Sequence, residues 1–405
     1  MKSIIFFSLL FISATLQAQS DTQIIIGKSD VVYSKILQEN RQLWVHVPND
    51  NSPDGVFAKQ HYPVIYLLDG WEQNFSVVAG IVDLLSGGGG NLAFPKMIIV
   101  GIPGTSRTRD LTPTHVNSSP MMDSMEARSS GGGEKFISFM QKELIPHIDS
   151  LYPTAPYRIF IGHSLGGLIS IYTLLHHEDL FNAYVAIDPS TFWDNQIVLK
   201  QMKEALEKKQ FENSSLFLAA ANTMNSGLDT SIIGPVMRCN FELRDYLNTY
   251  KESKLISAYK YYPEYDHSSV PVPAVYDALR FVFKFYNYNF PFAEFFKPSF
   301  ELDTILSEHY KNISSRMGYK VSPPENFVNN LGYQLAGMHQ FDRAYYFFKM
   351  NIDNYPESFN AYDSMGDLFN AKGDRQKAID YYSKTLLIRY WPDTKEKLEK
   401  LKAIK

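Results

Sequence analysis

Cysteine is almost missing from this chain. Cys239 is the single one in 405 residues, so no intramolecular disulfide can form and stability has to come from the core. There is no spaced cysteine cluster and no H-E-x-x-H pattern, so the common zinc signatures are lacking as well, and the reading calls for no cofactor. An excess of one charge is also lacking. The 39 Lys and Arg stand against 43 Asp and Glu, a formal net charge of −4, and no basic patch with interleaved aromatics points to nucleic acid. The apolar run at residues 4–16 is too short to cross a bilayer. Lys2 precedes it and Leu16-Gln17-Ala18 follows, so residues 1–18 read as a secretory signal peptide. No cysteine follows that run, which argues against a lipoprotein anchor. The expectation is a periplasmic or secreted bacterial protein with no stable membrane insertion after cleavage.

What remains is an ordinary globular balance, 45% hydrophobic and 20% charged, long enough for more than one domain. The 26 Tyr and 28 Phe imply an aromatic-rich core. Alternating apolar and polar residues over 22–46 predict antiparallel edge strands. The continuous apolar runs 62–68 and 97–102 predict strands buried on both faces. Further strands are expected at 158–161, 181–187, 216–221 and 255–262. Helical spacing marks 75–85, 134–149, 168–175, 198–209, 241–247 and 275–286. Strands alternating with helices in this way give an α/β fold with a doubly wound, mostly parallel sheet, in which ligands gather at the carboxyl ends of the strands.

One stretch carries chemistry. Gly162-His163-Ser164-Leu165-Gly166-Gly167 sits between an apolar strand and an apolar helix, the strand, tight turn and helix of a nucleophile elbow. Gly162 and Gly166 lack Cβ atoms, so strand and helix can approach there, and Ser164 stands at a helix N-terminus that favours negative charge. A serine hydroxyl needs a base, and the base needs an orienting carboxylate. His267, in the loop after the last strand, is the base. His163 lies in the turn itself and is poorly placed for that role. Asp229, in the loop after the penultimate strand, is the first choice of acid, with Glu242, Glu264, Asp266 and Asp188 as rivals. The oxyanion hole should combine the Leu165 N–H with one from Gly70 or Trp71, after strand 62–68. Arg107 and Arg109, after strand 97–102, would stand at the mouth of the site. They would bind an anionic ester there or, as is common for loop arginines, pin the loop to carboxylates.

These motifs have a family resemblance. Tyr66-Leu67-Leu68-Asp69-Gly70, Val100-Gly101-Ile102, Arg107-Thr108-Arg109-Asp110-Leu111-Thr112-Pro113, the elbow and Asp266-His267-Ser268-Ser269-Val270-Pro271 resemble the esterase D-like ("putative esterase") family of α/β-hydrolases. That family includes feruloyl and acetyl xylan esterases and esterases that open tri-lactone siderophores. The resemblance implies Ser164 as nucleophile and His267 as base, is silent on the acid, and extends over about residues 25–290. The chain departs from it at Asp188-Pro189-Ser190, where Ser-Pro-Ser is more usual, a change expected to alter substrate contacts. The esterase domain is set at 22–290, acting on a small-molecule ester. An acyltransferase using the same acyl-enzyme is one alternative, and a protein-interaction module on an inactive scaffold is another.

Residues 291–324, broken by four prolines, read as a linker. Beyond them Gly332, Ala344 and Phe348 recur 34 residues later as Gly366, Ala378 and Tyr382. That period matches tetratricopeptide repeats, so 325–405 is expected to hold two such repeats and a capping helix. Two repeats are few to stand alone. The region should pack on the hydrolase, shielding or shaping its active site, or else serve a protein partner or self-association.

Overall fold

The computed structural model describes residues 24–48, 60–86, 93–104, 106–119, 122–226, 230–287 and 294–403. The expected signal peptide, the glycine run 87–90 and Asp229 lie outside them.

Eight strands form one sheet in the order β1-β2-β4-β3-β5-β6-β7-β8. The antiparallel edge is β1 (Lys28–Ser34) and β2 (Glu39–His46), and β2 also runs antiparallel to β4 (Ile98–Ile102). From β4 the sheet is parallel, through β3 (Tyr62–Leu68), β5 (Thr154–His163), β6 (Ala183–Ile187), β7 (Ser215–Ala221) and β8 (Ile256–Tyr262). This is the α/β-hydrolase arrangement. All seven residues of β3 are buried, as a continuous apolar run predicts. Successive side chains of a strand point to opposite faces: Ile65 and Leu67 enter one core, Val64, Tyr66 and Leu68 the other.

Helices cover both faces. After β3 comes α1 (Glu72–Ser86), and after β4 come two short helices, α2 (Arg107–Leu111) and α3 (Ser124–Arg128). The predicted helix 134–149 is α4 (Gly133–Phe139), which passes through a π-helical turn (Met140–Leu144) into α5 (Ile145–Leu151). The elbow helix is α6 (Leu165–His176), followed by α7 (Trp193–Lys208), α8 (Thr230–Thr249) and α9 (Pro271–Val282). Helix α7 starts earlier than its apolar spacing predicts, and its first turn is not right-handed: Asp194, Asn195 and Gln196 have φ of 45°, 53° and 67°.

The C-terminal region is all helical: α10 (Leu302–Met317), α11 (Glu325–Gly337), α12 (Phe341–Asn354), α13 (Phe359–Ala371), α14 (Arg375–Ile388) and α15 (Pro392–Ala403). The residues that recur in sequence make the same contact twice. A Cβ on Gly332 would stand 2.6 Å from the Phe348 ring, and one on Gly366 would stand 2.5 Å from the Tyr382 ring. Ala344 and Ala378 are both fully buried. The small residue of one helix thus seats the aromatic ring of the next, in each hairpin.

This helical array shares a continuous apolar core with the α1/α9 face of the sheet. Its polar anchors lie at the amino ends of the parallel strands. His309 Nε2 on α10 is 3.1 Å from the Tyr286 carbonyl, and Arg316 stacks over Phe285. Phe283 packs on Phe94, ahead of β4, and on Tyr157, near the start of β5. Six residues of extended strand, about 20 Å, separate Tyr157 from His163 at the elbow. The expectation that the array shields or shapes the active site therefore gives way: these anchors hold it to the opposite edge.

Candidate active site

Backbone strain gathers at the carboxyl edge of the sheet. Among the described residues, ten other than glycine have positive φ, and six of them are Asp69, Ser164, Asp188, Asp194, Asn195 and Gln196. The first three each sit at the end of a parallel strand. Ser164, between β5 and α6, has φ 59° and ψ −117°. Such a conformation costs about 1–3 kcal/mol and persists only where the surroundings impose it. The surroundings here are a very close approach of strand and helix. A Cβ on Gly162 would lie 2.1 Å from the Gly166 carbonyl oxygen. Gly166 itself is less constrained, since its nearest contact would be 3.4 Å from Leu68.

The Ser164 carbonyl accepts from Leu168 N–H (3.0 Å) and Ser190 N–H (3.1 Å), and its own N–H donates to the Ile187 carbonyl (2.9 Å). The residue is thereby tied to both β6 and α6. Its hydroxyl lies 3.3 Å from Ser190 Oγ, and among the described residues it makes no hydrogen bond to an imidazole nitrogen. Catalytic contacts are often loose before substrate arrives.

His267 follows β8, and its Nδ1 lies 2.6 Å from Asp188 Oδ2. Asp188 is the residue directly after β6 and is fully buried. Its second oxygen, Oδ1, accepts from Ala221 N–H (3.1 Å) and Asn240 Nδ2 (3.2 Å). Asn240 is also fully buried, and its own oxygen accepts from the Thr191 hydroxyl at 2.8 Å. One fully buried carboxylate thus meets three polar partners, and His267 is the one on the exposed side. This is the carboxylate that the structure sets on His267. Asp229, the first choice from sequence, lies outside the described residues. Two of the other rivals turn elsewhere: Asp266 caps the next turn, accepting from the Ser268 and Ser269 N–H groups (3.0 and 2.9 Å), and Glu242 accepts from the Tyr246 hydroxyl. Asp188 carries a signal in sequence: it is an acidic residue immediately after a fully apolar strand.

His163 does not reach a proton-transfer position. Its ring packs 4.4 Å, centroid to centroid, from that of His267, and its Nε2 is buried without a hydrogen-bond partner. Burial, reinforced by His267 and Arg107, pushes its pKa down to about 3. It therefore stays neutral beside His267.

Of the expected oxyanion donors, Leu165 N–H is in the first turn of α6, where no helical carbonyl takes it. Gly70 N–H is committed to the Ile102 carbonyl at 3.2 Å, between neighbouring strands, which removes it from that role. Trp71 N–H turns back on the Asp69 carbonyl at 2.8 Å, so it serves only if that small turn opens.

The two arginines pin loops. Arg109 donates to both oxygens of Glu39 (3.1 and 2.7 Å) and to Asp110 Oδ1 (2.7 Å). These bonds hold its guanidinium even more firmly protonated than usual. Buried Arg41 completes the network through Asp110 Oδ2 at 2.6 Å. Arg109 Nε, Nη1 and Nη2 each donate to a carboxylate, so of the two expected roles of Arg109 the structure shows the loop-pinning one. Arg107 donates to Asp69 through Nε and Nη2 (2.8 and 3.1 Å), and Nη2 also meets the His163 carbonyl at 3.1 Å. It is near the site but likewise engaged.

The strand order and the strand-to-helix turn define an α/β-hydrolase fold with Ser164 at that turn. Comparison with known proteins agrees. The Esterase family model, described as "Putative esterase", matches residues 34–234. Among solved structures, an IroE-like serine hydrolase from Shewanella oneidensis is 30% identical with a TM-score of 0.68. The match covers 80% of this chain and 98% of that one. The chain belongs to the Esterase family. Ferri-bacillibactin esterase BesA of Bacillus subtilis is 32% identical over 194 residues, 45% of this chain and 66% of that protein, so the chain spans just under two thirds of that relative. An uncharacterised protein from Capnocytophaga ochracea, only 18% identical, shares the fold over 93% of this chain and 99% of its own length, with a TM-score of 0.57. Among the described residues, no helix is long and apolar enough to cross a membrane.

Proposed function

We propose that this protein is an exported serine carboxylic ester hydrolase whose substrates are siderophore-type esters. The observation that carries the reading is the Asp188–His267 pair, 2.6 Å apart, beside a strained Ser164 on a strand-to-helix elbow. Asp188 accepts from His267 Nδ1 and so leaves Nε2 unprotonated, as a base must be. Rotation of the Ser164 hydroxyl away from Ser190 brings its proton to Nε2 as Oγ attacks the ester carbonyl. The Leu165 N–H stabilises the oxyanion, together with Trp71 N–H once its turn opens. The alcohol leaves with the proton from His267. Water, deprotonated by the same imidazole, then releases the acid from the acyl-enzyme.

The substrate class rests on the siderophore esterase among the relatives; feruloyl and acetyl esters are the other candidates within the same chemistry. An acyltransferase would use the same acyl-enzyme and pass the acyl group to an alcohol. The helical array, with its repeated glycine-on-aromatic seat, supports a tetratricopeptide-like reading.

Treatment with a fluorophosphonate, followed by peptide mapping, should place the adduct on Ser164. Ester assays should then use a tri-catecholate lactone, a feruloyl ester, an acetylated sugar and p-nitrophenyl butyrate. Faster opening of the lactone than of the other natural-type esters is expected. No adduct at Ser164 and no hydrolysis of any ester would end the serine esterase reading. Acyl transfer to an added alcohol in preference to water would move it to the acyltransferase.

A further inference from the structure

Three loops meet at the carboxyl edge of the sheet, and one guanidinium touches two of them from the third. Arg107 is the first residue of α2, in the connection after β4. Its Nε and Nη2 take both oxygens of Asp69, the residue that ends β3. Its Nη2 also reaches the carbonyl of His163, the residue before the nucleophile. Asp69 is held in a left-handed conformation, φ 49°, and its own carbonyl accepts from Trp71 N–H at 2.8 Å and Asn74 Nδ2 at 2.9 Å. So the loop that carries the second oxyanion donor is joined, through Asp69 and Arg107, to the main chain that carries Ser164. Only a planar fork can make two parallel bonds to a carboxylate and a third to a carbonyl; an ammonium cannot.

We infer that Arg107 is a positioning residue, a strap that fixes the oxyanion loop against the nucleophile elbow, and that it is not a cation for the substrate. Asp69 is its necessary partner. The inference rests on the serine esterase reading, because a strap between these loops matters to catalysis only if Ser164 is the nucleophile. A displacement of about 1 Å between nucleophile and oxyanion donors can cost around 100-fold in rate. The loss falls on kcat, because the oxyanion exists only beyond the ground state.

The test compares Arg107→Gln, Arg107→Lys, Asp69→Asn and the double variant Arg107→Gln/Asp69→Asn. Substrates are p-nitrophenyl butyrate and a p-nitrophenyl ester bearing a free carboxylate. Active sites are counted by fluorophosphonate titration, so that misfolded protein does not enter the rate. The expected result is a fall in kcat of about 100-fold for every single variant, on both esters alike, with KM within threefold. The double variant should be no worse than either single one, since both cut the same strap. Asp69→Asn separates the two roles most sharply. A substrate cation freed from its carboxylate would bind the anionic ester better and lower its KM; a broken strap lowers kcat instead. Retained kcat, with KM rising for the anionic ester alone in the Arg107 variants, overturns the strap. So does full activity in Arg107→Lys. Wild type that neither hydrolyses the esters nor reacts at Ser164 brings down the esterase reading itself, a result distinct from any of these.

Discussion

Asp188→Asn should lower kcat on p-nitrophenyl butyrate about 10⁴-fold while leaving the fold intact, the size seen when the acid of another Ser-His-Asp enzyme is made an amide. The reason is in the second oxygen. Asp188 Oδ1 accepts from Ala221 N–H and Asn240 Nδ2, two donors that an amide nitrogen could not face. An Asn at 188 must therefore keep its oxygen there and turn its NH₂ toward His267. The imidazole Nδ1 then has to accept, which places the ring proton on Nε2, where Ser164 needs a lone pair. The volume is unchanged and both buried donors stay satisfied, so the melting temperature should hold within a few degrees. Asp229→Asn is the matching control and should stay within threefold of wild type. If instead Asp229→Asn is the crippled variant and Asp188→Asn turns over normally, the acid belongs to the loop after β7.

How far these features could be read from sequence depended on the range of the interactions that make them. The run Tyr62–Leu68 declares a buried strand because seven apolar residues need no distant partner to be recognised. The elbow is equally local: glycine, serine and glycine at fixed spacing, between a strand and a helix. His267 was legible from its place after the last strand. The pinning role of Arg109 was legible, with Asp110 next to it, but its second partner was not, because Glu39 is 70 positions away and meets it only when β2 lies beside β4. Arg107 and Asp69, 38 positions apart, are hidden in the same way. The helical array showed its period clearly, since Gly332 with Phe348 and Gly366 with Tyr382 are contacts within one hairpin. Its docking edge was not legible: that depends on Tyr157, Phe283 and Arg316 coming together from three distant parts of the chain.

The elbow also predicts a sharp asymmetry between its two outer glycines. Gly162→Ala should destabilise the protein by about 3 kcal/mol or more, beyond the ordinary range for overpacking. Its new Cβ would meet Gly166 O at 2.1 Å, the carbonyl carbon at 2.2 Å and Gly166 Cα at 2.9 Å. All three are main-chain atoms, so no side-chain rotation relieves the clash. Helix α6 would have to retreat by about an ångström to restore normal contact, yet nine of its twelve residues are buried against the rest of the domain. For a domain of this size the cost corresponds to a melting temperature lower by roughly 6–12 °C. Whatever folded protein survives has Ser164 and the Leu165 N–H displaced together. Gly166→Ala is the contrast. Its Cβ would find Leu68 and Asp69 side-chain atoms at 3.4–3.5 Å, tolerable contacts inside a helix that alanine favours, so its stability should stay within about 1 kcal/mol of wild type. Thermal melts of the two variants side by side decide the matter. Equal and small shifts would mean that strand and helix are not in the close approach described here, and that the strain at Ser164 has some other source.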